Sequence, residues 1–227
     1  MLISQKQLEQ IFPDTVFVTE VLANALNSVL PQYEINNKLR VAAFLAQVGY
    51  ESNYLTQVVE SLNYSVTALL NSFGRHRISE EDARAFGRTP TRPANQPAIA
   101  NRIYGGIWGE QKLGNSLSGD GWMYRGRGFI QITGRKNYQD CSRDLYGDDR
   151  LLTTPQTLEV TSTAIMSACW YWSGRNLNTL ADAGDFKGIT QLINGGQNGA
   201  SKREALYQLA LKVLEEPFPS HAQKLSI

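Results

Sequence analysis

Apolar residues recur at helical spacing along most of the chain. Ser4 followed by Gln7 is a capping-box pattern, after which Leu8, Ile11 and Phe12 share one face and Pro13 stops the helix. Val18, Val21, Leu22, Ala25, Leu26 and Val29 repeat in the same way up to Pro31. Asn36 or Asn37 can cap a third helix running through Leu39, Ala42, Phe44, Leu45 and Val48 to about Glu51. A fourth helix is predicted over 65–73, stopped by Gly74, and a short fifth opens at Ser79 ahead of Glu80, Glu81 and Asp82. Thr89 to Pro97 carries three prolines and reads as a loop, with Pro97 suited to the first turn of a short helix towards Tyr104. Further helices are predicted over 136–146, 157–172 and 185–194. Ser201 with Glu204 reads as a second capping box, opening a helix over Ala205, Leu206, Leu209, Val213 and Leu214. Pro217 and Pro219 begin a short polar tail.

Between Gly105 and Gly134 the pattern changes. About half of the 19 glycines fall there, interleaved with Tyr104, Trp108, Trp122 and Tyr124. Phe129 to Thr133 is the best strand candidate, with Gln131 and Thr133 on one face and Ile130 and Ile132 on the other. The chain therefore reads as mainly helical with one small β element, and it contains no internal repeat.

Composition narrows the class. A chain of 227 residues makes one large domain, or one domain with a small appendage. At 42% hydrophobic and 19% charged residues it is not a disordered chain. A net charge of +1 provides no bulk field for nucleic acid or an anionic membrane. Cys141 and Cys169 exclude a disulfide-rich scaffold and suit two buried free thiols, a single bridge being the alternative. With only His76 and His221 beside them, a structural zinc site is discounted. Phosphate-loop, dinucleotide-binding and Gly-x-Ser-x-Gly patterns are absent. Polar residues interrupt the first ten positions, so no signal-peptide core is read there, and no apolar run is long enough to span a bilayer. The expectation is a protein made in the cytoplasm that reaches any outside substrate by another route.

Glu51 and Glu60 are the most informative acids. Glu51 ends an apolar helix with Gln47 one turn before it, and Glu60 follows nine positions later. In one continuous helix the two would lie on opposite faces, but Ser52-Asn53 is a plausible stop, after which the chain can fold Glu60 back. A gap of roughly 6.5–9.5 Å, as inverting glycosidases use, is within reach of that connection. Apolar surroundings should desolvate Glu51, raise its pKa and suit it as the acid, while the more polar setting of Glu60 suits a base. By spacing alone, such a pair is ordinarily two solvated helix charges.

The segment Tyr124-Arg125-Gly126-Arg127-Gly128-Phe129-Ile130-Gln131-Ile132-Thr133-Gly134-Arg135-Lys136-Asn137-Tyr138 is more specific. Its glycines permit close approach of backbone to a ligand. Its Arg-Gly-Phe core has some flavour of an RNA-recognition strand, but the surrounding βαββαβ pattern is missing. Together with Glu51-Ser52, Glu60, Ser167-Ala168-Cys169-Trp170-Tyr171-Trp172, and Ile193-Asn194-Gly195-Gly196 followed by Arg203, it closely resembles glycoside hydrolase family 19, the chitinase-like and phage-endolysin family. The motifs stand in the family's order over about residues 36–214.

The resemblance implies a mainly α, α+β lysozyme-like fold with two helical lobes flanking a cleft and a small β element. It implies Glu51 as general acid, Glu60 as general base, and Thr133 helping to hold the attacking water. Tyr124, Gln131, Asn137 and Asn194 would contact the sugar chain, and Arg203 would lie near Glu51 and tune its charge. The family inverts, without a covalent intermediate, metal or cofactor. Many members carry His before the acid where this chain has Tyr50, which predicts activity with a shifted pH profile. Two cysteines and a short form favour the bacteriolytic branch over a true chitinase.

The expectation is a single catalytic domain over 1–227, with helices of 1–35 packed on it and a tail over 216–227. It would be an endolysin hydrolysing β-1,4 bonds between N-acetylmuramic acid and N-acetylglucosamine, as a muramidase does. Its partner would be peptidoglycan glycan strands, with no nucleic acid and no stable membrane insertion. It would act as a monomer on the wall in the periplasm, after release by a holin-type pore or a secretion machine. The alternatives are a chitinase, a secreted cell-wall toxin of the same chemistry, and a non-catalytic glycan-binding protein. Trp170 and Trp172 read as core, Trp108 and Trp122 equally as core or sugar platforms, and Arg75-His76-Arg77 as a solvated basic cluster.

Overall fold

The structure, a computed structural model, describes residues 1–16 and 18–215. The expected tail over 216–227, with His221, lies outside the described residues. In chain order the helices among the described residues are α1 (Gln5–Ile11), α2 (Glu20–Val29), α3 (Lys38–Glu51), α4 (Val66–Ser72), α5 (Glu80–Phe86), α6 (Gln96–Ile103), α7 (Gly106–Leu113), α8 (Asp120–Met123), α9 (Arg135–Tyr146), α10 (Arg150–Thr153), α11 (Thr161–Gly174), α12 (Leu177–Asp182), α13 (Phe186–Asn194) and α14 (Ala200–Val213). The mainly α class is therefore correct. None of these helices is long and apolar enough to cross a membrane. The chain divides into two compact units, 1–57 with 161–227, and 58–160.

The first unit is built around α3. Asn37 caps it, accepting the Arg40 N–H at 2.9 Å, and every residue from Val41 to Gly49 is buried. A helix apolar on all sides must be surrounded. α14 packs along it, α12 and α13 adjoin it, and α11 lies on α2. At Gly49 a Cβ would sit 2.5 Å from the Phe12 ring, so the close approach of the N-terminal segment to α3 needs glycine there. The Ser4–Gln7 capping box forms as expected. Trp172 is core, 1% exposed, edge-on to Phe44 and donating from Nε1 to Asn178 Oδ1 at 2.9 Å.

The second unit has its own core of Leu62, Leu69, Ile78, Ala83, Ile99, Ala100 and Ile103, closed by Tyr64, Phe73, Tyr104 and Trp122 among others. Ser65, Ser79 and Asn95 cap α4, α5 and α6 through their side chains, and Pro97 lies in the first turn of α6.

Four expectations need correction. The glycine-rich middle contains two helices, α7 and α8, because its glycines fall at their ends and contacts and leave short runs between them. The helix predicted over 157–172 starts only at Thr161, since Pro155–Glu159 forms a 3-10 turn and Val160 is extended. α10 and α12 went unpredicted, both being short. Ser201 caps nothing: the helix opens at Ala200 behind Gly199, in the left-handed conformation, so the Ser201–Glu204 pair lies inside the helix.

Candidate functional site

Glu51 is the last residue of α3, and its environment comes from side chains on three helices. Arg203 of α14 is 2% exposed. It donates from Nη2 to Glu51 Oε1 at 2.5 Å, from Nη1 to Gln47 Oε1 at 2.6 Å and from Nε to the Asn198 carbonyl at 3.3 Å. Gln47 donates in turn to Thr190 Oγ1 of α13 at 2.8 Å, and Thr190 donates to the Phe186 carbonyl at 3.1 Å. A buried guanidinium is tolerable only when its donors are met and its charge is paired. Here both conditions hold, and Glu51, with its side chain 26% exposed, is the end of the network that solvent can reach. The Tyr50 ring lies against the Arg203 guanidinium, 4.3 Å from the ring centroid. Tyr50 therefore touches the same arginine that binds Glu51.

The chain reverses directly after Glu51. Asn53, Tyr54 and Leu55 take φ values of 49°, 59° and 64°. Left-handed backbone costs about 1–2 kcal/mol per non-glycine residue, so three in succession must be held by their surroundings. Buried Ser52 does this: its Oγ donates to the Val48 carbonyl at 2.6 Å and accepts the Leu55 N–H at 3.0 Å. The expected stop at Ser52-Asn53 is where α3 ends.

Glu60 belongs to the second unit and is held differently. The Gly128 N–H donates to the Val58 carbonyl at 2.9 Å, and the Glu60 N–H to the Gly126 carbonyl at 3.0 Å. Arg127 exchanges two backbone bonds with Ile132, at 3.1 and 2.8 Å. The β element is thus a set of isolated bridges at Val59, Arg127 and Ile132. This corrects the strand expected over Phe129 to Thr133. Pairing Arg127 with Ile132 forces the four residues between them into a tight turn, and Gln131 is left-handed at φ 56°.

Gln131 and Thr133 still converge, by a different route. A Cβ on Gly126 would lie 2.6 Å from Gln131 Oε1, 3.3 Å from Thr133 Oγ1 and 3.4 Å from the Glu60 Cβ. Only a glycine lets these three gather round one backbone position. The Gly126 N–H donates to Glu60 Oε1 at 2.6 Å, and the Tyr104 phenol donates to Glu60 Oε2 at 2.7 Å. Burial, then the charge of Glu60, pushes the Tyr104 phenol well above its ordinary range, so it remains a donor. Thr133 Oγ1 donates to the Gln131 carbonyl at 3.0 Å.

The remaining expected contacts divide. Asn137 is exposed and donates to the Thr133 carbonyl at 2.7 Å. Asn194 ends α13 and donates to the Asn198 carbonyl at 3.2 Å. Tyr124 is a correction: it is 1% exposed, packs against Tyr138 and donates to the Leu152 carbonyl at 3.0 Å, so it cannot touch a sugar. Arg203, at 2% exposed, is likewise too buried to meet substrate. Tyr104 and Thr190 were not singled out for the site. Tyr104 stood only among the aromatics of the glycine-rich region, and Thr190 carried no signal.

A relative from Haemophilus influenzae, named a glycosyl hydrolase family 19 domain-containing protein, is 35% identical over 208 residues, covering 92% of this chain and 95% of its own. The chain belongs to glycoside hydrolase family 19. No protein-family model matches it. Solved family 19 structures share the fold of this glycoside hydrolase. A bacterial family 19 chitinase has a TM-score of 0.58 at 21% identity, covering 96% of this chain and 97% of that one. Chitinase C from Streptomyces griseus has a TM-score of 0.57 at 21% identity, covering 94% and 76%. A class IV chitinase from Zea mays has a TM-score of 0.57 at 19% identity, covering 96% and 94%.

Two features of this family 19 hydrolase stand outside the carboxylates. Cys141 and Cys169 are both free and buried, and burial pushes the Cys141 thiol up to about 12 and the Cys169 thiol higher still, so neither is a nucleophile. Trp108 and Trp122 each have a guanidinium on one face, Arg77 at 3.8 Å and Arg125 at 3.7 Å from the ring centroids.

Proposed function

We propose that this hydrolase cleaves β-1,4 bonds in the glycan strands of peptidoglycan by an inverting reaction of two carboxylates. Glu51 protonates the leaving glycosidic oxygen. Glu60 takes a proton from the water that attacks the anomeric carbon from the opposite face, with Thr133 helping to hold that water. Gln131, Asn137 and Asn194 contact the sugar chain. No metal or cofactor takes part in this scheme.

The observation that carries the reading is the anchoring of Glu60. Both its oxygens accept a hydrogen bond, from Gly126 and from Tyr104, beside the Thr133 hydroxyl. A carboxylate so fixed suits proton abstraction from a positioned water. The presence of only two cysteines, both free, supports the bacteriolytic branch, and so a bacterial wall as the target. On this reading the enzyme reaches the periplasm through a pore or a secretion machine and works there as a monomer. The second reading is a chitinase, favoured by the names of the structural neighbours.

The test is mass spectrometry of borohydride-reduced products from Gram-negative peptidoglycan, with chitin oligomers in parallel and Glu51→Gln and Glu60→Gln as controls. Reduced N-acetylmuramic acid ends, lost by roughly 10²–10⁴-fold in either variant, are expected for a muramidase. Reduced N-acetylglucosamine ends from the same substrate make it a glucosaminidase. Cleavage of chitin oligomers alone makes it a chitinase, and unimpaired turnover in the variants removes the two glutamates from the chemistry. Product anomers read by proton NMR before mutarotation test inversion.

A further inference from the structure

Glu60 follows α3 in a stretch with neither helix nor continuous strand, so its side chain needs fixing from outside. One of its two anchors is backbone, the Gly126 N–H. The other is the Tyr104 hydroxyl, and Tyr104 is itself clamped. It caps α6, and its carbonyl accepts Asn115 Nδ2 at 2.8 Å. Asn115 is 4% exposed, and its Oδ1 accepts the Arg135 N–H at 2.8 Å.

Behind the ring stands Arg77. Its guanidinium lies 5.7 Å from the Tyr104 centroid, 3.8 Å from Trp108 and 4.9 Å from Phe73, and its Nε donates to the Ile103 carbonyl at 2.8 Å. Arg75 and His76 beside it are exposed, as a solvated cluster would be, but Arg77 is half-buried. Among the described residues no carboxylate forms an ion pair with it. A cation taken partly out of water without an anion, on the faces of aromatic rings, is placed for its geometry. Packing alone would be served by phenylalanine at position 104, whereas the hydroxyl is used by Glu60.

We propose that Tyr104 is a positioning residue for Glu60, and that Arg77 holds it there through an aromatic box with Phe73 and Trp108. This rests on Glu60 being the general base. Tyr104 acts through Glu60: it keeps the carboxylate plane from rotating, and Arg77 fixes both the ring and the peptide before it.

The experiment measures kcat and KM on the glycan that the wild type turns over, for Tyr104→Phe, Arg77→Met, the double variant and Glu60→Gln. Tyr104→Phe should lower kcat about 10- to 100-fold with KM within about twofold, the loss expected when a donor to a charged group is removed. Arg77→Met should lower kcat by less, and the double variant should be no worse than Tyr104→Phe alone, since both act through one bond. Circular dichroism checks folding; should Arg77→Met not fold, Arg77→Lys takes its place. Wild-type kcat in Tyr104→Phe, with turnover abolished in Glu60→Gln, overturns the positioning role and leaves the base reading standing. Full turnover in Glu60→Gln overturns the base reading itself. Additive losses in the double variant overturn the link from Arg77 to Tyr104.

Discussion

Glu51 closes a helix that is buried on every side, and its arginine, glutamine and threonine come from helices packed round that axis. Glu60 lies in a segment without regular structure, and what holds it is a backbone N–H just before a tight turn and one phenol. The first arrangement is a side-chain network on rigid elements; the second is a backbone contrivance that depends on a glycine and a chain reversal. The difference teaches where each is vulnerable. The Glu51 network is tied to the stability of the first unit, because its polar groups are buried and must all be met. The Glu60 arrangement rests on two hydrogen bonds, so a change there is expected to alter the carboxylate's position before it alters the stability of the second unit.

Removal of Arg203 should have the largest effect. Arg203→Leu leaves Gln47 Oε1 and Glu51 Oε1 without their donor. Breaking a buried charge pair costs several kcal/mol, reduced here because Glu51 is partly exposed, so the loss should be about 2–3 kcal/mol, or roughly 4–12 °C in Tm by calorimetry. Thr190→Val should cost less and in the same direction, and an unchanged Tm in both would mean that the network is ornamental to the first unit.

A pair of glycine variants sharpens the contrast. Gly49→Ala drives a methyl into the Phe12 ring and should lose about 1–3 kcal/mol by denaturant unfolding, with activity per folded molecule kept. Gly126→Ala meets the tip of Gln131, which can swing aside, so stability should change by less than about 1 kcal/mol. Its kcat should nevertheless fall about tenfold, because Glu60, Gln131 and Thr133 all move. If Gly126→Ala unfolds the protein while Gly49→Ala does not, the assignment of stability and activity to the two regions is reversed.

The smallest effect concerns the start of α3. Asp182 takes Arg40 Nε at 2.8 Å and also accepts Asn37 Nδ2 at 2.9 Å, joining α12 to the residue that caps α3. The hydrogen bond from Arg40 holds the Asp182 carboxyl below its ordinary 3.8. A depressed carboxylate stabilises above its unfolded pKa and loses that contribution as pH falls through its folded value. Asp182→Asn should therefore lower stability by less than about 1 kcal/mol at neutral pH, and the gap from the wild type should narrow in melts as pH is taken below the ordinary aspartate value of 3.8.

The two regions were also unequally legible. α3 could be read from its apolar run and its asparagine cap, and Gln47 could be placed beside Glu51 because one helical turn separates them. Both are short-range properties of periodicity. The turn that follows Gly126 could not be read that way. Phe129 to Thr133 alternates as a strand does, yet the pairing of Arg127 with Ile132 bends it back, and Gln131 reaches Glu60's neighbourhood from a left-handed turn. Tyr124 was misjudged for a related reason: a motif position says nothing of burial, and its ring faces the Tyr138 side of the unit.

The order and number of most helices, their caps, and the family to which the chain belongs all follow from local pattern and motif. Capping and amphipathic periodicity are decided within about one turn, and the motifs stand in linear order. Which polar groups meet was decided only by tertiary packing. Arg203 finds Glu51 across 152 positions of chain and Tyr104 finds Glu60 across 44. Such contacts are set by how helices pack and where turns reverse, and no spacing along the chain encodes them.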